Sequence, residues 1–275
     1  KEIGATTYIL SNGVKVHYKF ANKNVNDVQL YAESFGGASL YDLKDLPSTF
    51  ALNGLTDASG VGAFSNINLE KILSGKVVGT GINVGALNET VSGNAKVKDL
   101  EAMLQLVHLR FVKPRFDKEI YDIKKLDLQN YLENKDKDIN AKMTDSINAI
   151  VYGKNNPRVR ILDQQFIDDL SFERIKAIYK ERFCDVSNFE FFIVGDVTQE
   201  VLKPLLEKYI ASIPGIKREE TFKDKTPVWS SNKINKEVLI KMETPKSTVN
   251  IQFESDFKYT SKNAVLADML RDILT

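Results

Sequence analysis

The alternation of apolar and polar positions begins at once. Residues 6–10 and 14–20 are extended runs joined by Ser11-Asn12-Gly13. Asn-Gly tolerates positive φ at both turn positions, so the pair predicts a β-hairpin. In its second strand Val14, Val16, Tyr18 and Phe20 alternate with Lys15, His17 and Lys19, which gives one buried and one wet face. A third strand is expected over residues 27–34, followed by the loop Phe35-Gly36-Gly37-Ala38. Helical patterns cover residues 46–58 and 68–73, and a further strand pair covers 76–84 and 88–95. Over residues 99–112 Leu100, Met103, Leu104, Val107 and Phe111 share one helical face, and Pro114 stops that helix.

Two more helices are expected over residues 117–133 and 139–152, then a loop with Gly153, Asn155, Asn156 and Pro157. Ser171 caps a helix that runs to about Phe183. Residues 188–194 form an apolar strand ending at Gly195-Asp196, and 198–210 a helix closed by Pro214-Gly215. Strands cluster early and helices follow in a run. This order predicts an α+β fold, a mostly antiparallel sheet with helices packed on one side.

Residues 216–234 are polar and charged, carry Pro227, and read as a linker. Strand-like runs follow at 236–243 and 247–255, around Thr244-Pro245-Lys246, with a helix starting near Thr260. This tail echoes the beginning of the chain. Val249-Asn250-Ile251-Gln252-Phe253-Glu254-Ser255 aligns with Val28-Gln29-Leu30-Tyr31-Ala32-Glu33-Ser34 at an offset of 221, with Val, Glu and Ser identical. In both copies a loop and an apolar helix come next, the pattern of a tandem repeat. The expected organisation is one complete domain over 1–215, a linker over 216–234 and the truncated start of a second, similar domain over 235–275. The chain starts at Lys1, not at Met, and stops at Thr275 inside an amphipathic pattern, so both ends are read as cuts.

Composition narrows the classes of function. A chain of 275 residues with 43% hydrophobic and 27% charged content is ordinary for a globular protein. Lys plus Arg number 38 against 37 Asp plus Glu, leaving none of the basic excess expected of a nucleic-acid-binding domain. No apolar run approaches the ~20 residues of a membrane helix. The lone Cys184 excludes an internal disulfide without fixing the compartment.

Catalytic templates come back empty. A zinc peptidase needs about three converging His, Cys, Asp or Glu ligands and a base. The histidines are His17 and His108 only. His17 reads as a solvated residue on the polar face of its strand. His108, four residues after Leu104, reads as a hydrogen-bonded core histidine; neither has a second His at i+4. Asp136-Lys137-Asp138-Ile139-Asn140 imitates a calcium loop, but Ala141 replaces its Gly and Ile147 its bidentate Glu, so a charged helix junction is the better reading. Gly79-Thr80-Gly81 and Gly60-Val61-Gly62 lack the rest of a phosphate-binding pattern. Cys184 has no neighbouring His and reads as a packed thiol. The expected site is therefore none: no catalytic, metal-binding or cofactor-binding residue. One weak candidate surface is residues 76–84, whose two glycines would let a peptide backbone approach, with an ordinary strand as the blander reading.

Several stretches resemble the pitrilysin–insulysin family of zinc peptidases, and within it the third domain of long bacterial members. They include Leu10-Ser11-Asn12-Gly13-Val14-Lys15-Val16, Phe35-Gly36-Gly37-Ala38-Ser39 and Ser59-Gly60-Val61-Gly62-Ala63-Phe64-Ser65. The most specific is Asp99-Leu100-Glu101-Ala102-Met103-Leu104-Gln105-Leu106-Val107-His108-Leu109 with Pro114-Arg115-Phe116-Asp117. Asn188-Phe189-Glu190-Phe191-Phe192-Ile193-Val194-Gly195-Asp196 completes the set. The active first domain of that family carries H-x-x-E-H on its first long helix. Laid on this chain, the motif falls on Ala51-Leu52-Asn53-Gly54-Leu55, and the third-ligand position falls near Tyr131 and Leu132, with Glu133 adjacent.

The resemblance thus implies a processing-peptidase-like domain with an erased metal site, followed by the start of a fourth domain. It implies a non-catalytic half that walls a peptide-enclosing chamber, its partners being peptide substrates and an N-terminal catalytic half that holds the zinc. It favours the periplasm or cell envelope, with the cytoplasm still open. The alternative is an inactive partner subunit or assembly protein that works with a separate active chain. An unrelated α+β module would need every match to be coincidental.

Overall fold

The computed structural model describes residues 4–154, 156, 158–159, 161–216, 219–229, 233–241, 246–252 and 257–274. Its centre is a six-stranded sheet in the order β1-β2-β6-β3-β5-β4. The strands are β1 (Thr6–Ile9), β2 (Lys15–Phe20), β3 (Asp27–Phe35), β4 (Val78–Val84), β5 (Asn88–Lys96) and β6 (Glu190–Gly195). The expected α+β class and mostly antiparallel sheet are what the chain forms. The exception is β6, which pairs parallel with β2 and antiparallel with β3. A late strand thus separates two early neighbours.

The β1–β2 turn reaches positive φ at Gly13 (86°) but not at Asn12. The Asn12 side chain has another use: its Nδ2 donates to the carbonyls of Ile210 (2.9 Å) and Ile213 (3.1 Å), tying the first hairpin to residues almost 200 positions away.

Period-2 alternation decides which face is covered. Val16, Tyr18, Val28, Leu30, Ala32, Ile82, Val91, Phe191 and Ile193 are buried on one side. Against them pack helices α1 (Leu46–Ser59), α3 (Leu100–Val112), α7 (Phe172–Phe183) and α8 (Gln199–Leu205), whose Leu52, Met103, Leu104, Ile175, Ile178 and Leu202 lie in the same core. The helices α2 (Asn66–Ile72), α4 (Lys118–Asn134), α5 (Ile139–Tyr152) and α6 (Gln164–Asp168) surround this layer; α6 is too short to announce itself by periodicity. The expected helix over 198–210 changes at Leu206–Ile210 into a π-turn, which begins two residues after the internal Pro204. The other sheet face is open, with Tyr31, Phe192 and Val194 exposed.

The expected linker is no loose spacer where it is described. The Glu220 carboxylate accepts from Arg182 Nη1 (2.7 Å), and Asn188 brackets the Glu220 backbone through both its amide atoms. Phe222 packs on Phe35 (6.0 Å between centroids), Lys223 N donates to Ser39 Oγ (3.0 Å), and Trp229 Nε1 reaches Tyr152 OH (3.2 Å). Arg182 is 5% exposed and also lies 3.9 Å from the fully buried Glu89, so one interior guanidinium bridges the carboxylates of Glu89 and Glu220. Lys217, Arg218, Asn155 and Pro157 lie outside the described residues.

In the tail, residues 236–241 and 247–252 carry no strand, while 242–243 and 253–255 of the two expected runs fall outside the described residues, as do Glu254 and Ser255 of the internal echo. The last expected helix is present as α9 (Ser261–Leu274), with no buried residue; Val265, Met269 and Ile273 are more than half exposed.

Glu220→Ala should release the strap, since a hydrogen bond to a charged, buried group contributes about 1.5–3 kcal/mol. Trypsin should then cut after Lys223 and Lys225 faster than in the unaltered chain, as read by mass spectrometry of the fragments.

Candidate functional site: the motif-aligned segment of α1

Helix α1 begins with Pro47 at its first turn, where a missing N–H costs nothing. It ends at Gly60 (φ 87°), where an added Cβ would lie 2.3 Å from the Phe64 carbonyl oxygen. Leu52, Leu55, Thr56 and Ser59 recur at helical spacing and are all buried, which fixes the rotation of the helix against the sheet.

That rotation determines what each motif-aligned position can do. Leu55 is 2% exposed and belongs to the core. Ala51 is partly buried against the same core. Gly54 is exposed, with open space where a Cβ would stand. None of the three side chains can donate electrons to a metal or take a proton, so the chemistry of the donor set does not fit zinc. On α4, Tyr131 and Glu133 are exposed. Among the described residues no group of three or more His, Cys, Asp and Glu could hold a metal ion.

The other candidates are engaged elsewhere. His17 is partly covered: it stacks on Phe192 (5.0 Å), Nδ1 lies 3.0 Å from Thr7 Oγ1 and Nε2 lies 3.5 Å from Glu190. Hydrogen bonding from Lys15, 2.9 Å away, holds the Glu190 carboxyl below its ordinary pKa. His108 is half-buried, not fully interior, and its Nδ1 donates to the Tyr209 carbonyl of the π-turn (2.8 Å). Cys184 caps the end of α7, and burial pushes its thiol pKa up, away from the thiolate a nucleophile needs. Asp138, in the imitation calcium loop, is the N-cap of α5 and accepts from Asn140 N (2.9 Å) and Ala141 N (3.2 Å).

Sequence reasoning passed over a polar group on the same helix. Asn53, inside the motif-aligned segment, receives a hydrogen bond from Val84 N (2.8 Å) on β4. One turn on, Asp57 pairs with Arg110 of α3 (3.0 Å), which bonds Thr80 of β4. The available signal was a mid-helix Asn, a residue that favours caps and turns unless its side chain has a partner.

With the geometry in place, comparison with known proteins is informative. Residues 169–275 match the family described as Peptidase M16 inactive domain. The chain is 24% identical over 268 residues to "Probable zinc protease PqqL" of Haemophilus influenzae, covering 96% of this chain and 28% of that protein. The C-terminal part of the chain thus matches the inactive-domain model, and the chain as a whole is similar to PqqL-type zinc proteases. Its fold recurs in the periplasmic protease PqqL of Escherichia coli (TM-score 0.70, 20% identity, 83% of this chain and 25% of that one). It recurs too in the first half of the same protease (TM-score 0.63, 10% identity, 83% of this chain and 50% of that one). The chain therefore spans about a quarter of the length of the Haemophilus influenzae and Escherichia coli PqqL proteins it matches.

Leu55 has become part of this domain's interior. Leu55→His should cost about 2–5 kcal/mol, the price of replacing a buried Leu with a polar ring that has no partner there. A urea or guanidinium melt checks this; an unchanged midpoint would show that the position still accommodates an imidazole.

Proposed function

We propose that this chain is the non-catalytic half of a pitrilysin-type zinc endopeptidase, corresponding to its third domain and the start of its fourth. Its work is architectural and binding. It forms a wall that encloses a peptide, excludes bulk water and large folded proteins, and holds parts of the peptide away from the cut. Zinc and the water-activating carboxylate would come from an N-terminal catalytic half. The observation that carries this reading is α1: a helix at the motif-aligned place in the chain, with Ala51, Gly54 and Leu55 where ligands and base would stand.

The proposed division is one domain over 1–215, a connecting segment over 216–234 and the opening of a second domain over 235–275. The apolar stripe of α9 supports this, because an amphipathic helix whose apolar face is left uncovered by the described residues is an incomplete packing unit. The length of the Haemophilus influenzae relative favours a catalytic half on the same polypeptide over a separate partner subunit. The periplasmic location stated for the Escherichia coli protein makes the cell envelope the place to look.

Purified alone, the chain should hold no stoichiometric zinc by inductively coupled plasma mass spectrometry and cleave no quenched-fluorescent peptide. Zinc at unit occupancy together with EDTA-sensitive cleavage would overturn the proposal. A native reading frame with H-x-x-E-H upstream would select the single-chain arrangement; a short separate frame would select the partner subunit.

A further inference from the structure

Strand β4 is an edge of the sheet, and an exposed edge offers unpaired N–H and C=O groups to any extended chain. Which groups face outward follows from the register. Lys96 N donates to Val77 O (3.0 Å) and Gly85 N to Asn88 O (2.8 Å). With Val78 opposite Ala95 and Val84 opposite Glu89, the ladder bonds to β5 fall on odd-numbered residues. The backbone groups of Val78, Thr80, Ile82 and Val84 therefore point away from the sheet.

Two of these four are already occupied. The Asn53 amide meets Val84 in both directions: Val84 N donates to Oδ1 (2.8 Å) and Nδ2 approaches Val84 O (3.4 Å). It presents the donor–acceptor pair that a neighbouring strand residue would present. Arg110 donates to the Thr80 carbonyl through Nη2 and to Thr80 Oγ1 through Nε (2.9 Å). Its Nη1 is held by Asp57 (3.0 Å), and the Arg110 side chain is only 11% exposed. Asn53 and Asp57 lie one turn apart on α1, so a single helix positions both clasps. No two successive outward-facing residues keep all their backbone groups free. An added strand needs such a run, because its bonds recur every second residue.

We propose that α1 seals the β4 edge against strand addition, so that an extended peptide meets this domain through its faces and not by joining its sheet. The seal is a property of this domain and goes beyond the chamber-wall reading: it would stand even if the parent protein were no peptidase. It also replaces the earlier candidate surface over residues 76–84 with a closed one.

The test uses the full chain and a synthetic peptide copying Asn88–Lys96, the strand β4 already accepts on its inner side. Hydrogen–deuterium exchange over residues 78–84 and a fluorescence titration read out addition. The unaltered chain should show no peptide-induced protection. The Asn53→Ala, Arg110→Ala double variant should be protected there and bind the peptide at least about tenfold more tightly. Should the double variant fail to fold by circular dichroism, Asn53→Ala alone should open the end of the strand, with protection confined to residues 82–84. Equal behaviour of the unaltered chain and a folded variant, whether both bind or neither does, would overturn the proposal.

Discussion

The placement of β6 between β2 and β3 is the constraint on which the domain depends. Residues 190–195 arrive after most of the helices, yet they supply the bonds that join the first hairpin to the β3–β5–β4 ladder. Without β6 the sheet is two separate pieces. Phe191 and Ile193 are fully buried and touch the core from the middle of the sheet. Because β2 and β3 run in opposite directions, a strand between them must be parallel to one and antiparallel to the other, and β6 is parallel to β2. The long-range bonds of Asn12 to Ile210 and Ile213 close the other end of the same circuit. Such non-local pairing must pay loop-closure entropy before it gains contacts, so cooperativity is concentrated at this strand.

The motif-aligned segment of α1 has a simple packing logic. A helix that carries ligands must aim polar side chains at a metal, and those groups are costly wherever the metal is missing. Here Leu55 fills core volume and Gly54 leaves open space, so neither contributes a buried unpaired group. Just before them in sequence, Asn53 keeps polarity and directs it to Val84. The helix thus remains anchored to both the core and the sheet edge, and loss of chemistry need not loosen the fold.

Most elements were legible because their signals are local. Alternation in β2 and β3, the shared face of α3, and Ser171 as an N-cap each appear within a dozen residues. What was not legible depends on partners far away in sequence. Nothing in residues 188–194 states that β6 must pair parallel with β2. Pro204, inside α8, does not say that the chain will continue as a π-turn. Residues 219–229 look like a linker by composition, since Glu220, Lys223 and Lys225 are charged; only the position of Arg182, Asn188 and Ser39 turns them into a strap. The candidate site shows the same split. That Ala51, Gly54 and Leu55 cannot bind metal follows from residue type alone, whereas the use made of Asn53 required the distance to β4.

The strap and the sealed edge together bear on how such a domain can serve as a wall. A wall must present a fixed surface to what it encloses and a fixed exit to the chain that leaves it. Glu220, clamped by a buried Arg182 and by Asn188, fixes the exit at one end of the sheet. Asn53 and Arg110 close one long edge, leaving the open sheet face with Tyr31, Phe192 and Val194 as a surface offering side chains and no free ladder. A face that binds through side chains alone forgoes the backbone hydrogen bonds that give strand addition its affinity, so each contact with an extended peptide is weak.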